Sequence, residues 1–141
     1  MIPIILVTHG PFAKSIIESS EMLVGKSEKL EAISLCPNDS FEGFQEEIIL
    51  KAEELDEGTG VLILVDVLGG SPYNAAAKSL FQGNIECLTG LNLSMLLTAL
   101  DQREYCDLKQ LVTECKAAAT ANIVDVREFI SVNAEGDDDD E

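Results

Sequence analysis

The chain has 141 residues and carries 26 acidic against 9 basic side chains, a formal net charge of −17. That length points to one domain, and a hydrophobic content of 46% is enough for a real core. The charge argues against nucleic acid and anionic membranes as partners, because both demand a basic surface.

No apolar stretch approaches the roughly 18 uncharged residues needed to span a bilayer. The amino terminus opens on a strand-like run without a basic leader, so no signal peptide is expected and the cytoplasm is the default location. Cys36, Cys87, Cys106 and Cys115 show no C-x-x-C pairing, and the single histidine rules out a Cys/His zinc pattern. They read as reduced, mostly packing cysteines, with no metal and no cofactor called for.

Residues 2–7 form a continuous apolar run of strand length, the pattern of a strand buried on both faces. The run breaks into the turn Thr8-His9-Gly10. Residues 12–24 then show helical spacing (Phe12, Ile16, Ile17, Met22, Leu23) up to Gly25. A short strand is predicted over 30–35. Within Pro37-Asn38-Asp39-Ser40 one polar residue is expected to cap a helix over 41–55.

Residues 61–65, all Val, Leu or Ile, make the second clear buried strand, which ends at Asp66. The turn Val67-Leu68-Gly69-Gly70-Ser71-Pro72 follows, with Ser71 expected as N-cap and Pro72 as the first residue of a helix reaching about Phe81. Further along come a strand over 84–88, helices over 94–100 and 108–120, and a short last strand over 123–126. Strands alternating with helices at this spacing imply an α/β fold. The expected architecture is a doubly wound, mostly parallel sheet with helices on both faces, in flavodoxin-like order. The domain is set at residues 1–130. Residues 131–141 read as a disordered acidic tail.

In that strand order the first and third strands are neighbours, and their carboxyl ends flank the crevice where such sheets bind ligands. His9 would then meet Asp66 and Ser71. A carboxylate on one ring nitrogen fixes the tautomer and leaves the other free as a nucleophile. The Gly69-Gly70 backbone and the following helix N-terminus offer N–H donors and a positive dipole to an anion, and Ser71 and Thr8 could add hydroxyls. Nucleophile, orienting base and anion cradle together describe a phosphoryl acceptor. Taken singly, each has a plainer reading: a structural histidine, a turn-capping aspartate, an ordinary helix entry. The glycine turn matches neither G-x-G-x-x-G nor a P-loop, and the chain lacks a G-x-S-x-G elbow. Lys14 and Lys78 could lie on the rim of the site.

At these residues the chain resembles the IIA component of the mannose–fructose–sorbose family of the bacterial sugar phosphotransferase system (PTS). The matching pieces are Ile5-Leu6-Val7-Thr8-His9-Gly10, Glu21-Met22-Leu23-Val24-Gly25, and residues 60–66 running into Gly69-Gly70-Ser71-Pro72-Tyr73-Asn74-Ala75-Ala76. Gly90-Leu91-Asn92-Leu93 with Met95-Leu96 completes the series, so the likeness covers about residues 1–125. The resemblance implies a phosphotransferase component working through a phosphohistidine. His9 would take a phosphoryl group from HPr and pass it to a IIB component, which serves membrane IIC and IID components. Asp66 would orient His9, and Ser71 with the loop amides would hold the phosphoryl oxygens. The family also implies a homodimer with the last strand swapped onto the partner's sheet.

Two positions depart from the family pattern: Ser94 stands where many relatives have proline, and Leu68 where a bulky aromatic is frequent. The phosphocarrier subunit of dihydroxyacetone kinase shares the histidine but usually lacks the glycine-glycine-serine-proline turn. A non-catalytic regulatory module of the same fold is the alternative from another class.

Overall fold

The computed structural model describes residues 1–139. Four strands, β1 (Ile4–His9), β2 (Leu30–Leu35), β3 (Val61–Val65) and β4 (Ile85–Leu88), form one parallel sheet in the order β2-β1-β3-β4. The helices are α1 (Phe12–Val24), α2 (Phe41–Leu55), α3 (Gly70–Ser79), α4 (Leu93–Gln102), α5 (Leu108–Ala121) and α6 (Val126–Asp139), with one 3-10 turn, Leu80–Gln82, after α3. The flavodoxin-like order expected from the sequence is present, and β1 and β3 pair directly from Ile4↔Leu62 to Val7↔Val65.

Side chains alternate across a strand, so the two central strands divide their residues between two cores. Ile4, Leu6, Leu62 and Leu64 pack against α1, α4 and α5 through Leu96, Leu111 and Cys115. Ile5, Val7, Ile63 and Val65 face α2 and α3 through Phe44, Ile48, Ala75 and Ala76. Every residue of β3 is fully buried, which explains its uninterrupted apolar sequence. Truncating Leu64 to alanine would cost about 2–5 kcal/mol in transfer and cavity terms.

Helix starts are built locally. Ser40 Oγ accepts from Gly43 N–H at 2.9 Å, and Asn92 and Asp107 cap α4 and α5 in the same way at 2.8 Å. Each such cap contributes about 1 kcal/mol. At the end of the sheet where the strands begin, Arg103 is 4% exposed and its guanidinium donates to the carbonyls of Ile2, Lys29 and Glu28. It ties the end of α4 to the chain entering β1 and β2.

The carboxyl end of the chain departs from the sequence expectation. Residues 123–126 do not form a strand: Ile123 and Val124 lie in an exposed link, and Val126 opens α6. The β-branched run suggested a strand, but Val126, Phe129 and Ile130 recur at helical spacing, and that periodicity prevails. The helix also crosses the boundary set at residue 131, so residues 131–139 are helical rather than a disordered tail; Asp140 and Glu141 lie outside the described residues. Among the described residues no helix is long and apolar enough to cross a membrane.

Candidate functional site

All four strands run parallel, so the loops that follow them gather at one pole of the sheet. The β1–β3 ladder ends at Val7↔Val65, while β1 continues to His9 beside Leu35 of β2. The next donor of β1, the His9 N–H, therefore has no strand partner on the β3 side. Asp66 supplies one: its Oδ2 accepts that N–H at 2.9 Å.

The same oxygen lies 2.8 Å from His9 Nδ1, and Oδ1 accepts the Val67 N–H at 2.9 Å. Burial pushes the Asp66 carboxyl upward and is the largest single influence on it. The hydrogen bonds from the His9 backbone, the His9 ring and Val67 together outweigh burial and hold it below the usual aspartate value. An ionised carboxylate only accepts, so Nδ1 carries the proton. The lone pair of the neutral ring is thereby assigned to Nε2. The Asp66 side chain is 13% exposed and that of His9 52%, an anchored carboxylate beneath an accessible ring nitrogen.

The turn from β3 into α3 approaches that ring closely. Gly69 and Gly70 both have positive φ, 85° and 84°, a conformation that costs a side-chain-bearing residue about 1–2 kcal/mol. A Cβ built on Gly70 would sit 3.7 Å from both Cε1 and Nε2 of His9. The opening of α3 thus lies against the Nε2 edge of the ring. Its first N–H groups have no intrahelical acceptor, and the helix dipole adds positive potential there.

Two expectations about this turn need correction. Ser71 is not the N-cap, which is Gly69; Ser71 and Pro72 fall inside the first turn of α3. The paired left-handed glycines, rather than a serine side chain, make the entry. Pro72 is tolerated there because the N–H it lacks would have been unpaired anyway.

Thr8 is not brought to the ring. Alternation along β1 turns it to the opposite face, where it is fully buried and its Oγ1 accepts the Ala13 N–H at 2.9 Å. It steadies the start of α1 and with it the turn carrying His9. Lys78 also lies away from the site, near the far end of α3, with its ammonium 5.0 Å from the Phe41 ring centroid. Cys36 is exposed, Cys115 is buried, and burial pushes the thiols of Cys87 and Cys115 up to about 12, so neither is a nucleophile near neutral pH. Among the described residues no three His, Cys, Asp or Glu side chains gather in a metal-binding group. A large cleft lined by Met1, Thr59, Asn84 and Arg103 opens at the opposite pole. It offers His9 nothing.

Known proteins carry the same arrangement of elements. The EIIA-man profile, described as PTS system fructose IIA component, matches residues 3–116. The chain belongs to this family. It is 36% identical over 118 residues to the fructose-specific EIIA component of Bacillus subtilis, covering 83% of this chain and 81% of that one. It is also 36% identical over 104 residues to the mannose-specific EIIAB component of Escherichia coli K12, spanning 73% of this chain but 32% of that longer protein. The crystal structure of a phosphotransferase-system EIIA component from Streptococcus agalactiae superposes with a TM-score of 0.83 at 31% identity, covering 91% of this chain and 99% of the other. The EIIA fold and family inferred from the sequence motifs are therefore established, and the chain is a phosphotransferase-system component.

The residue that sequence reasoning missed at the site is Val67, whose backbone N–H fixes the second oxygen of Asp66. Only its position after an aspartate at a strand end could have signalled it.

Proposed function

We propose that this EIIA chain is a phosphohistidine relay: His9 accepts a phosphoryl group from phospho-HPr and passes it to a IIB component. The observation that carries the reading is the 2.8 Å Nδ1···Oδ2 contact on a half-exposed ring whose Nε2 abuts the start of α3. In the forward step the Nε2 lone pair attacks phosphorus in line. The donor's N–P bond breaks, and its electron pair stays on the departing donor imidazole. The Nδ1 proton does not move. It stays on Nδ1, donated to the ionised Asp66, whose negative charge offsets the positive charge that a doubly substituted ring acquires. The N–H groups around Gly69, Gly70 and Ser71 offset charge on the phosphoryl oxygens, and Ser71 can add its hydroxyl.

Onward transfer reverses the geometry: the IIB nucleophile attacks phosphorus and Nε2 leaves with its electron pair. IIB then phosphorylates a sugar entering through IIC and IID. The exposed apolar side chains from Ile123 to Val132 support a homodimer, since patches of that kind mark association surfaces. As the sole histidine, His9 makes the test direct. Incubation with phosphoenolpyruvate, enzyme I and HPr should add one acid-labile phosphoryl group to the intact mass, absent in His9→Ala. An unmodified protein under conditions that phosphorylate HPr overturns the reading.

A further inference from the structure

Among the described residues Arg103 is the one buried ion, and it forms no salt bridge. Buried charges are normally paired, yet the acceptors here are neutral carbonyls. Burial works against its charge, and Glu104 and Glu28 support it only from beyond ion-pair distance. Nη1 donates to Ile2 and Lys29, and Nη2 donates once, to Glu28. A guanidinium carries five N–H donors, so Nε–H and the second N–H of Nη2 have no protein acceptor. Nε and Nη2 share one edge of the plane, the edge that grips a carboxylate or phosphate side-on. That edge is not sealed in, because Ser34 Oγ is the one unpartnered buried side-chain polar atom among the described residues. It opens on the cleft that Arg103 lines at the pole opposite His9.

The walls of that cleft complete an anion site. α5 begins on one wall, where the N–H groups of Leu108 and Lys109 have no intrahelical acceptor and the Asp107 cap takes only that of Gln110. Lys109 adds an exposed ammonium, Ile2 and Leu108 form an apolar floor, and Thr59 and Asn84 bring neutral hydrogen-bonding groups. The volume of 760 Å³ is far larger than a bare ion needs and falls in the range of small-molecule sites. Glu104 and Asp107 also stand on the rim. Their carboxylates accept hydroxyl groups and repel a second phosphate, which selects a singly phosphorylated polyol against a polyphosphate.

We propose that this cleft binds a sugar phosphate or a similar phosphomonoester of a polyol. Arg103 grips the phosphate through Nε and Nη2, Lys109 and the start of α5 complete the cradle, and the rim takes the hydroxyls. The site is separate from His9 and does not depend on the relay reading.

Titration of the intact chain with glucose 6-phosphate, followed by backbone amide NMR, tests the proposal. Saturable shifts should appear at Thr59, Leu108 and Lys109, with half-saturation at or below about 1 mM, while His9 and Gly70 stay unmoved. Glucose should give no saturable shift, and inorganic phosphate and ATP should each bind at least about tenfold more weakly. Arg103→Lys keeps the charge but loses the fork, and should weaken binding about tenfold or more. Lys109→Ala changes only exposed surface, should weaken binding about threefold to tenfold, and carries the test if Arg103→Lys unfolds. A second readout needs no variant. Cys106 lines the cleft and Cys36 is exposed after β2, so glucose 6-phosphate should slow alkylation of Cys106 and leave that of Cys36 unchanged.

No saturable shift by about 20 mM glucose 6-phosphate overturns the site, as does glucose binding as tightly as its phosphate. Wild-type affinity in a folded Lys109→Ala protein, or unchanged Cys106 alkylation at saturation, overturns the placement in this cleft. Equal affinity for inorganic phosphate overturns the assignment to a phosphorylated polyol.

Discussion

His9 and Arg103 occupy opposite poles of the same sheet and use their nitrogens in opposite ways. Arg103 is almost fully buried and donates to three backbone carbonyls. His9 is half exposed, one ring nitrogen is bound to Asp66, and the other faces solvent beside a helix opening. The arginine closes a junction, whereas the histidine keeps a valence in reserve. The difference teaches where to look for chemistry: at the polar group that the fold has held in place and left incompletely bonded.

Substitutions can break this contrast. His9→Ala should abolish phosphoryl acceptance while leaving thermal stability within about 0.5 kcal/mol, since the residue is exposed and its backbone N–H still reaches Asp66. Intact mass and calorimetry read the two halves of that statement. Arg103→Ala should do the reverse. It removes charged donors from buried carbonyls and should cost on the order of 3 kcal/mol in denaturant unfolding, with transfer by the folded protein unchanged.

Smaller effects sharpen the contrast within the site. Asp66→Asn should slow transfer on the order of 10²-fold, because an amide can present a donor to Nδ1 and favour the wrong tautomer. Gly70→Ala imposes about 1–2 kcal/mol of backbone strain and places a methyl group beside Nε2, so transfer should fall about tenfold.

The smallest effect is one of pH. The folded carboxyl of Asp66 is depressed, so the unfolded chain binds more protons as pH falls below the ordinary aspartate value near 3.9. The stability it contributes is present above that value and lost as pH drops through the depressed one. Denaturant midpoints measured from pH 6 to pH 3 should converge for wild type and Asp66→Asn at the acid end.

The sheet was legible in the sequence because β1 and β3 are buried on both faces and so read as unbroken apolar runs. The meeting of His9 with Asp66 was legible too, since parallel neighbours bring their carboxyl ends together. Two local misreadings had one cause, a residue type that serves more than one structure. Ser71 suits an N-cap, but the left-handed glycines before it already make the turn. Ile123, Val124 and Val126 suit a strand, but the next apolar residues keep helical time. Arg103 was not legible at all. Its partners are backbone carbonyls up to 101 residues away, and no side-chain pattern marks a carbonyl.

Asp66 Oδ2 grips both the backbone N–H and the ring of the same histidine. The imidazole is thus pinned at its root and its tip by a single atom, and the ring cannot swing without releasing its own main chain. On the proposed cycle the loaded and empty forms share one scaffold. A partner that distinguishes them reads the phosphoryl group at Nε2, its charge and its bulk, and the traffic in either direction is set by which partner carries that group.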